Sequence, residues 1–560
     1  VEAPLEDPAF LGIVSAISQS STGTINVLLI FAQFANERHL GEGIPAYADQ
    51  LFDPGLPGSF AHFFDVMSFG QLKVEGTVLP KRYTSSDPSS KYLANTPAQQ
   101  GKFSTFTRDI LKQVDVDVDL TKFDNNGVDG IPNSGDDDGN VDYIFVLMRS
   151  VPEGFIQGKA NGHAGLGRDF RSKDPGINGR NIGLMGKHWK GSLLEEGRGE
   201  GGFVWTTGIM AHEFGHALSL PDLYDISFLK APGQDPSEDG AGIGKWGLMG
   251  RGWAGTGVPT MCAWSREKLG WLGRDNEHLV VLEQPVTELR LRDVHNGGAV
   301  YKVFVEEESQ EVEAQEREYL LFEHRVRTAH YYNRLLTIDG ALVWHVRPPA
   351  LTNELEEYKL VDLVCADGLF SDAGYPDGRV VDHRAGRDNL DFWAHDGAYT
   401  RTHAGNVGDN DDLFIGRGGL FDFHAGIDAT IDMFIDIASR DKALVASLRS
   451  RHLAPTAVVE EAAVDTTFQV DLLPNYPNPF NPQTTIGYVL PEAAKVQLVV
   501  YNALGQKVRT LIEDEIPAGT HESVWDSNDD SGREVASGVY HYSLEVEGHA
   551  PYVRRMTLIR

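Results

Sequence analysis

His212-Glu213-Phe214-Gly215-His216, continuing through Ala217-Leu218-Ser219-Leu220 to Pro221-Asp222, is the stretch from which the rest of the chain is best read. In an α-helix two histidines four positions apart differ by about 40° of rotation, so both imidazoles leave one face and can share a metal ion. Glu213 lies too far round to be a ligand, yet close enough to take a proton from water that the metal activates. Thr206 and Thr207 offer a cap before the run, Ile209, Met210, Ala217 and Leu218 supply apolar positions, and Pro221 stops the helix. A core helix whose histidines merely satisfy hydrogen bonds would leave Glu213 unexplained.

The run from His212 to Asp225, HEFGHALSLPDLYD, resembles the immune inhibitor A family of secreted zinc metallopeptidases. So do Gly23 to Asn36 as a first strand, Ser59 to Val78 as an early helix and strand, and Ala263 to Trp271 as a closing helix. Trp246, Gly247, Leu248 and Met249 resemble the methionine turn beneath the zinc, with Met249 a soft apolar floor that makes no bond to the metal. The resemblance implies a zincin-like catalytic domain with His212, His216 and Asp222 as zinc ligands and Glu213 as general base for peptide hydrolysis. Ser219 stands where the family has a glycine in left-handed backbone, at a cost of about 1 kcal/mol. Asp222 could instead cap the next segment or bind calcium, with Glu238 completing the zinc site.

Upstream, FDNNGVDGIPNSGDDDGNVDY from Phe123 gathers Asp124, Asn126, Asp129, Asp136, Asp138, Asn140 and Asp142 just before the apolar run Tyr143 to Met148. Crowded oxygen donors suit calcium, which wants six to eight of them. The spacing departs from an EF-hand, because the glycine precedes Asn140, and a solvated acidic turn is the alternative. Asp367 to Asp388 form a second acidic region, read as a solvated loop or another calcium site.

The 560 residues carry 49 basic against 81 acidic side chains, a formal charge of -32, which argues against a nucleic-acid partner. The 41% hydrophobic content suffices for about three domains. Cys262 and Cys365 fall in separate regions and define no disulfide framework, so each is expected to be a free buried thiol. No apolar stretch reaches membrane-spanning length, and Val1 suggests a processed form whose residues 1–22 are a propeptide remnant.

After the catalytic region, Val300 to Val305, Tyr319 to Arg325 and Ala341 to Val346 alternate as strands do, and Glu323, His324 and His345 read as structural rather than as a second metal site. Beyond Leu453 the composition becomes that of a linker. LPNYPNPFNPQTTIGYVLP from Leu473, VVYNALGQKVRTL from Val499 and the ending RRMTLIR resemble a type IX secretion sorting domain, a small sandwich with Trp525 and Tyr540 in its core. The fold expected is therefore multidomain α+β. Its parts are a zincin-like catalytic domain at 23–275, a β-rich domain at 276–453, a linker at 454–472 and an immunoglobulin-like β-sandwich at 473–560. The function expected is a secreted or surface-attached zinc endopeptidase, with zinc and calcium as ions and proteins and the secretion machinery as partners. The alternatives are a silent adhesin on a zincin scaffold and a zinc hydrolase of non-protein amides. Specificity is assigned to loops between Gly162 and Phe203, whose glycines suggest a flexible rim.

Overall fold

The computed structural model describes residues 19–449 and 471–558, apart from internal segments of which the longest are 225–241, 305–316 and 365–411. Residues 1–18, Glu238, Cys365 and the acidic region Asp367 to Asp388 lie outside the described residues. Contacts divide the chain into two units, Val1–Pro455 and Thr456–Arg560.

In the first unit, two uninterrupted apolar runs make the central strands β1 (Gly23–Gln33) and β3 (Tyr143–Met148). Such runs demand burial on both faces, the situation of a parallel sheet covered by helices. The sheet order is β2 (Leu72–Thr84), β1, β3, β7 (Gly191–Glu195) and β4 (Gly162–Ala164). All neighbours are parallel except β4, which returns antiparallel along β7 at the edge. Val27, Leu29 and Phe31 face one core with helices α1 (Phe60–Met67), α3 (Gly202–Ala217) and α4 (Ala263–Leu269). Leu28, Ile30 and Ala32 face the other, against α2 (Phe103–Asp117). Ser59 caps α1 by accepting the His62 amide at 3.0 Å.

The region read as a glycine-rich rim contains four short strands among its described residues. Residues 162–195 contain β4, β5 (Phe170–Pro175), β6 (Asn181–Leu184) and β7. These segments are three to six residues long, too short for alternation to stand out from their glycines.

Strands Val300–Phe304, Tyr319–Arg325 and Gly340–Val346 pair antiparallel in a second sheet of the first unit. Leu321, Leu342 and Trp344 join the same buried cluster as Phe64, Met249 and Trp271. In the second unit, Asp471–Leu472, Thr484–Leu490 and Gly519–Trp525 form one sheet, and four further strands between Ala494 and Leu558 form another. Trp525 is fully buried and meets Tyr540 at 5.1 Å between ring centroids.

Candidate metal centre

Helix α3 is apolar on nearly every side because it lies inside the unit, between the sheet and the second core layer. It starts at Gly202, earlier than the threonines suggest. Thr206 and Thr207 are fully buried inside it, and Thr206 Oγ1 accepts the Gly197 amide at 2.8 Å instead of capping the helix. The true N-cap, Gly201, has no side chain that could mark it in the sequence.

The helix ends in a Schellman turn. The Leu220 amide donates to Gly215 O at 3.0 Å and the Ser219 amide to His216 O at 3.0 Å, with Ser219 at φ 67° in the left-handed region. This reversal carries Pro221 and Asp222 back over the helix face that His212 and His216 share. Asp222 Oδ1 lies 3.1 Å from His212 Nε2 and 3.5 Å from His216 Nε2. Among the described residues, His212, His216 and Asp222 form the one group of three such side chains whose donor atoms all fall within 4.8 Å of one another.

The outer nitrogens define the protonation state. His212 Nδ1–H donates to Leu248 O at 2.9 Å, and His216 Nδ1–H donates to Leu220 O at 2.9 Å. A carbonyl can only accept, so in the neutral rings both Nε2 atoms present lone pairs. Asp222 Oδ1 is buried and has no hydrogen-bond donor of its own. Three acceptors converging without a donor call for a cation, and donors about 2.0–2.1 Å from a tetrahedral zinc lie about 3.4 Å apart. The residues fit zinc. Without a metal, burial draws the His212 imidazole down while Asp222 and Glu213 push it up, to about 9. Asp222 is held below the usual carboxylate range, because the two imidazoles outweigh its burial.

Glu213 is 8% exposed, and burial pushes its carboxyl up more than His212 and His216 bring it down. Sequence gave no reason to single out Gly162, yet a Cβ there would stand 2.5 Å from Glu213 Oε1. The edge strand β4 thus approaches the carboxylate as closely as bare backbone allows. Met249 is 1% exposed, and a Cβ on Gly215 would meet its sulfur at 2.6 Å, so the sulfur sits against the helix between the two histidines. The same segment binds the site through its main chain, since Met249 O accepts the Leu223 amide at 2.8 Å. Tyr224 touches Asp222, and its hydroxyl is raised well above the ordinary tyrosine value by burial and then by Asp222 and Glu213.

The acidic loop behaves differently. Asp129 Oδ1 accepts the Ile131 amide, Asp136 Oδ2 the Asp129 amide, Asn126 Oδ1 the Asp138 amide, and Asp138 Oδ1 the Asn140 amide. Asp142 is buried and accepts the amides of Asn26 and Asn125. These are loop-organising roles, and no three carboxylates there converge as the metal-centre residues do. In the second sheet, Glu323 accepts from Arg266 at 2.6 Å, Arg325 at 3.0 Å and Trp344 Nε1 at 2.8 Å, and His345 pairs with Glu318 at 3.1 Å. Cys262 is a buried free thiol.

Residues 51–274 match the family model for the immune inhibitor A peptidase M6 catalytic domain, and residues 481–549 that for the FlgD Ig-like domain. Immune inhibitor A of Bacillus thuringiensis subsp. alesti is 27% identical over 244 residues, which make up 40% of this chain and 33% of that protein. The chain therefore spans about a third of the length of this curated relative. Two solved structures are similar over smaller shares of the chain. Dimeric latent PorU from Porphyromonas gingivalis is 19% identical over 16% of this chain and 9% of its own, at a TM-score of 0.15. FlgD from P. aeruginosa is 23% identical over 13% of this chain and 59% of its own, at a TM-score of 0.12. Scores this low carry no argument about the fold. The family matches support a metallopeptidase in the first unit and an immunoglobulin-like domain in the second. Among the described residues no helix is long and apolar enough to cross a membrane, which says nothing of β-barrels.

Proposed function

We propose that the chain is a secreted zinc-dependent endopeptidase. One observation carries the reading: His212 Nε2, His216 Nε2 and Asp222 Oδ1 converge with their lone pairs inward, and Glu213 lies beside them. Zinc held there would supply Lewis acidity, acidifying a water molecule and polarising a peptide carbonyl. The Leu248 and Leu220 carbonyls fix the ring orientations. Glu213, pinned between α3 and the backbone of β4, takes the proton of the attacking water and returns it to the departing amine nitrogen. Met249, 1% exposed, lies against the helix that bears the histidines. The M6 match supports proteins or peptides as substrates.

In this reading 23–275 is the peptidase domain, 276–453 its β-rich companion, 454–472 a linker, and 473–560 a type IX sorting domain that sends the enzyme outside the cell. The experiment is casein hydrolysis by the purified chain beside Glu213→Ala, with zinc content measured on both. Activity lost with zinc retained supports the base and the metal centre. Equal activity overturns the mechanism, and a zinc-loaded but inert parent overturns the endopeptidase reading.

A further inference from the structure

Asp222 brings two oxygens to the metal centre, and their situations differ. Oδ1 is buried, faces His212 Nε2 at 3.1 Å and His216 Nε2 at 3.5 Å, and receives no hydrogen bond. The other oxygen is taken. The hydroxyl of Tyr224 is hydrogen-bonded to the Asp222 carboxylate, and since Oδ1 has no such partner the bond falls on Oδ2. An ionised carboxylate has nothing to donate, so the phenol is the donor.

The main chain fixes this pair. Leu223, between the two residues, is 0% exposed; its amide donates to Met249 O at 2.8 Å, and its carbonyl accepts the Ile243 amide at 3.0 Å and Asn353 Nδ2 at 3.2 Å. With Leu223 turned into the core, Asp222 and Tyr224 both face the histidines, and the Tyr224 ring stands 6.2 Å from the His212 ring between centroids, tilted by 33°. A Cβ on Gly242 would meet Tyr224 Cα at 2.6 Å, so a second segment of chain is packed against the tyrosine's backbone. The phenol has little freedom to leave the carboxylate.

We infer that Tyr224 is a positioning residue that keeps Asp222 a ligand through one oxygen only, an inference that rests on the zinc-centre reading above. The chemical need is specific. A carboxylate with both oxygens free can close on a metal ion as a chelate, and that would fill the coordination position which a hydrolytic zinc leaves open for water. A hydrogen bond on Oδ2 withholds that oxygen and fixes the direction in which Oδ1 presents its lone pair. His212 and His216 need no such guard, because their outer nitrogens already donate to Leu248 O and Leu220 O. Tyr224 completes the set, so that each of the three ligands is oriented by a hydrogen bond on the side away from the metal.

The test uses the full chain carrying Glu213→Ala, so that self-digestion cannot intrude, stripped of metals and titrated with zinc against a chromophoric chelator. Tyr224→Phe, which loses a single oxygen, should weaken zinc binding about 10- to 100-fold. In chains that also carry Asp222→Ala the same change should alter zinc binding by about twofold at most, since the hydroxyl then has no carboxylate to hold. Cobalt(II) in place of zinc gives a second readout. The visible spectrum of the parent should be that of a four-coordinate ion, and Tyr224→Phe should move it to the weaker absorption of a five-coordinate one. Equal zinc affinity in parent and Tyr224→Phe, an undiminished loss in the Asp222→Ala background, or a five-coordinate cobalt spectrum in the parent overturns the role of Tyr224 while leaving the metal centre standing. A parent that takes up neither zinc nor cobalt overturns the metal centre, and the inference with it. Should Tyr224→Phe fail to fold, the parent's cobalt spectrum decides alone.

Discussion

Replacing Gly162 by alanine should disable the proposed peptidase activity without emptying the candidate metal centre. The new Cβ would lie 2.5 Å from Glu213 Oε1, 3.2 Å from its Cδ and 3.3 Å from Leu194 Cδ2. An ordinary carbon–oxygen contact is about 3.3 Å, so the carboxylate must retreat by roughly 0.8 Å. It cannot retreat freely, since Glu213 is 8% exposed and its helix is packed through Phe214 against Phe60, Phe64 and Tyr143. A displacement of about 1 Å at a reacting group costs about 100-fold in rate. None of the three atoms nearest the new Cβ belongs to His212, His216 or Asp222. The assay is kcat and KM on a fluorogenic peptide, with zinc content and melting temperature on the same samples. The expected outcome is kcat down about 100-fold, KM and zinc nearly unchanged. Gly201→Ala, where a Cβ meets nothing within 4 Å, serves as control. Activity within twofold of the parent, in a zinc-replete Gly162→Ala protein, would refute the role given to both residues.

Two further outcomes follow from packing and from burial. Gly215→Ala drives a Cβ to 2.6 Å from Met249 Sδ; overpacking of this kind costs about 1–3 kcal/mol. Thermal melting should show the loss, and Met249→Ala in the same chain should recover part of it; additive losses would mean the two do not touch. The ring centroids of His295 and His330 lie 4.3 Å apart, and burial, followed by neighbouring cations, holds them down to about 2 and about 3. Unfolded histidine titrates near pH 6.5, so below that the unfolded chain binds protons that the folded pair refuses. The stability these two supply is complete above about pH 6.5 and falls as the medium is acidified towards pH 3, by up to about 1.4 kcal/mol per unit for each. Melting temperatures between pH 7 and 5 should fall less steeply in a His295→Gln/His330→Gln protein, and an unaltered slope would count against the assignment.

The part of the site written in side chains could be read in advance. His212, Glu213 and His216 announce themselves by spacing, and Asp222 by its place after the turn, where Ser219 does adopt the left-handed backbone its position requires. The part made by main chain could not. Nothing in the letters at 220 and 248 says that their carbonyls orient the imidazoles, and Gly162 is one glycine among many until its distance from Glu213 is measured. The same division separates the clear strands from the obscure ones. β1 and β3 are long apolar runs, whereas β4, β6 and β7 exist because a neighbour offers them hydrogen bonds. In the acidic loop, composition could gather the carboxylates but not sort them. Asp124 and Asp129 look alike in sequence and differ only in which one the fold encloses.

Arg325 belongs to the second sheet, yet its guanidinium donates to Trp246 O at 2.7 Å and to Met261 O at 3.4 Å, and Trp246 Nε1 donates in turn to Asp412 Oδ2 at 2.8 Å. The floor beneath the histidines is therefore built by one stretch of chain and held up by another, Tyr319–Arg325, which lies well beyond helix α4. Anyone cutting this protein down to a minimal enzyme at residue 275 would remove the supports while keeping every ligand. The fragment would retain all of its chemistry on paper and lose the surface on which that chemistry rests. For expression, for recombination between relatives and for inheritance, the two sheets of the first unit travel as one piece.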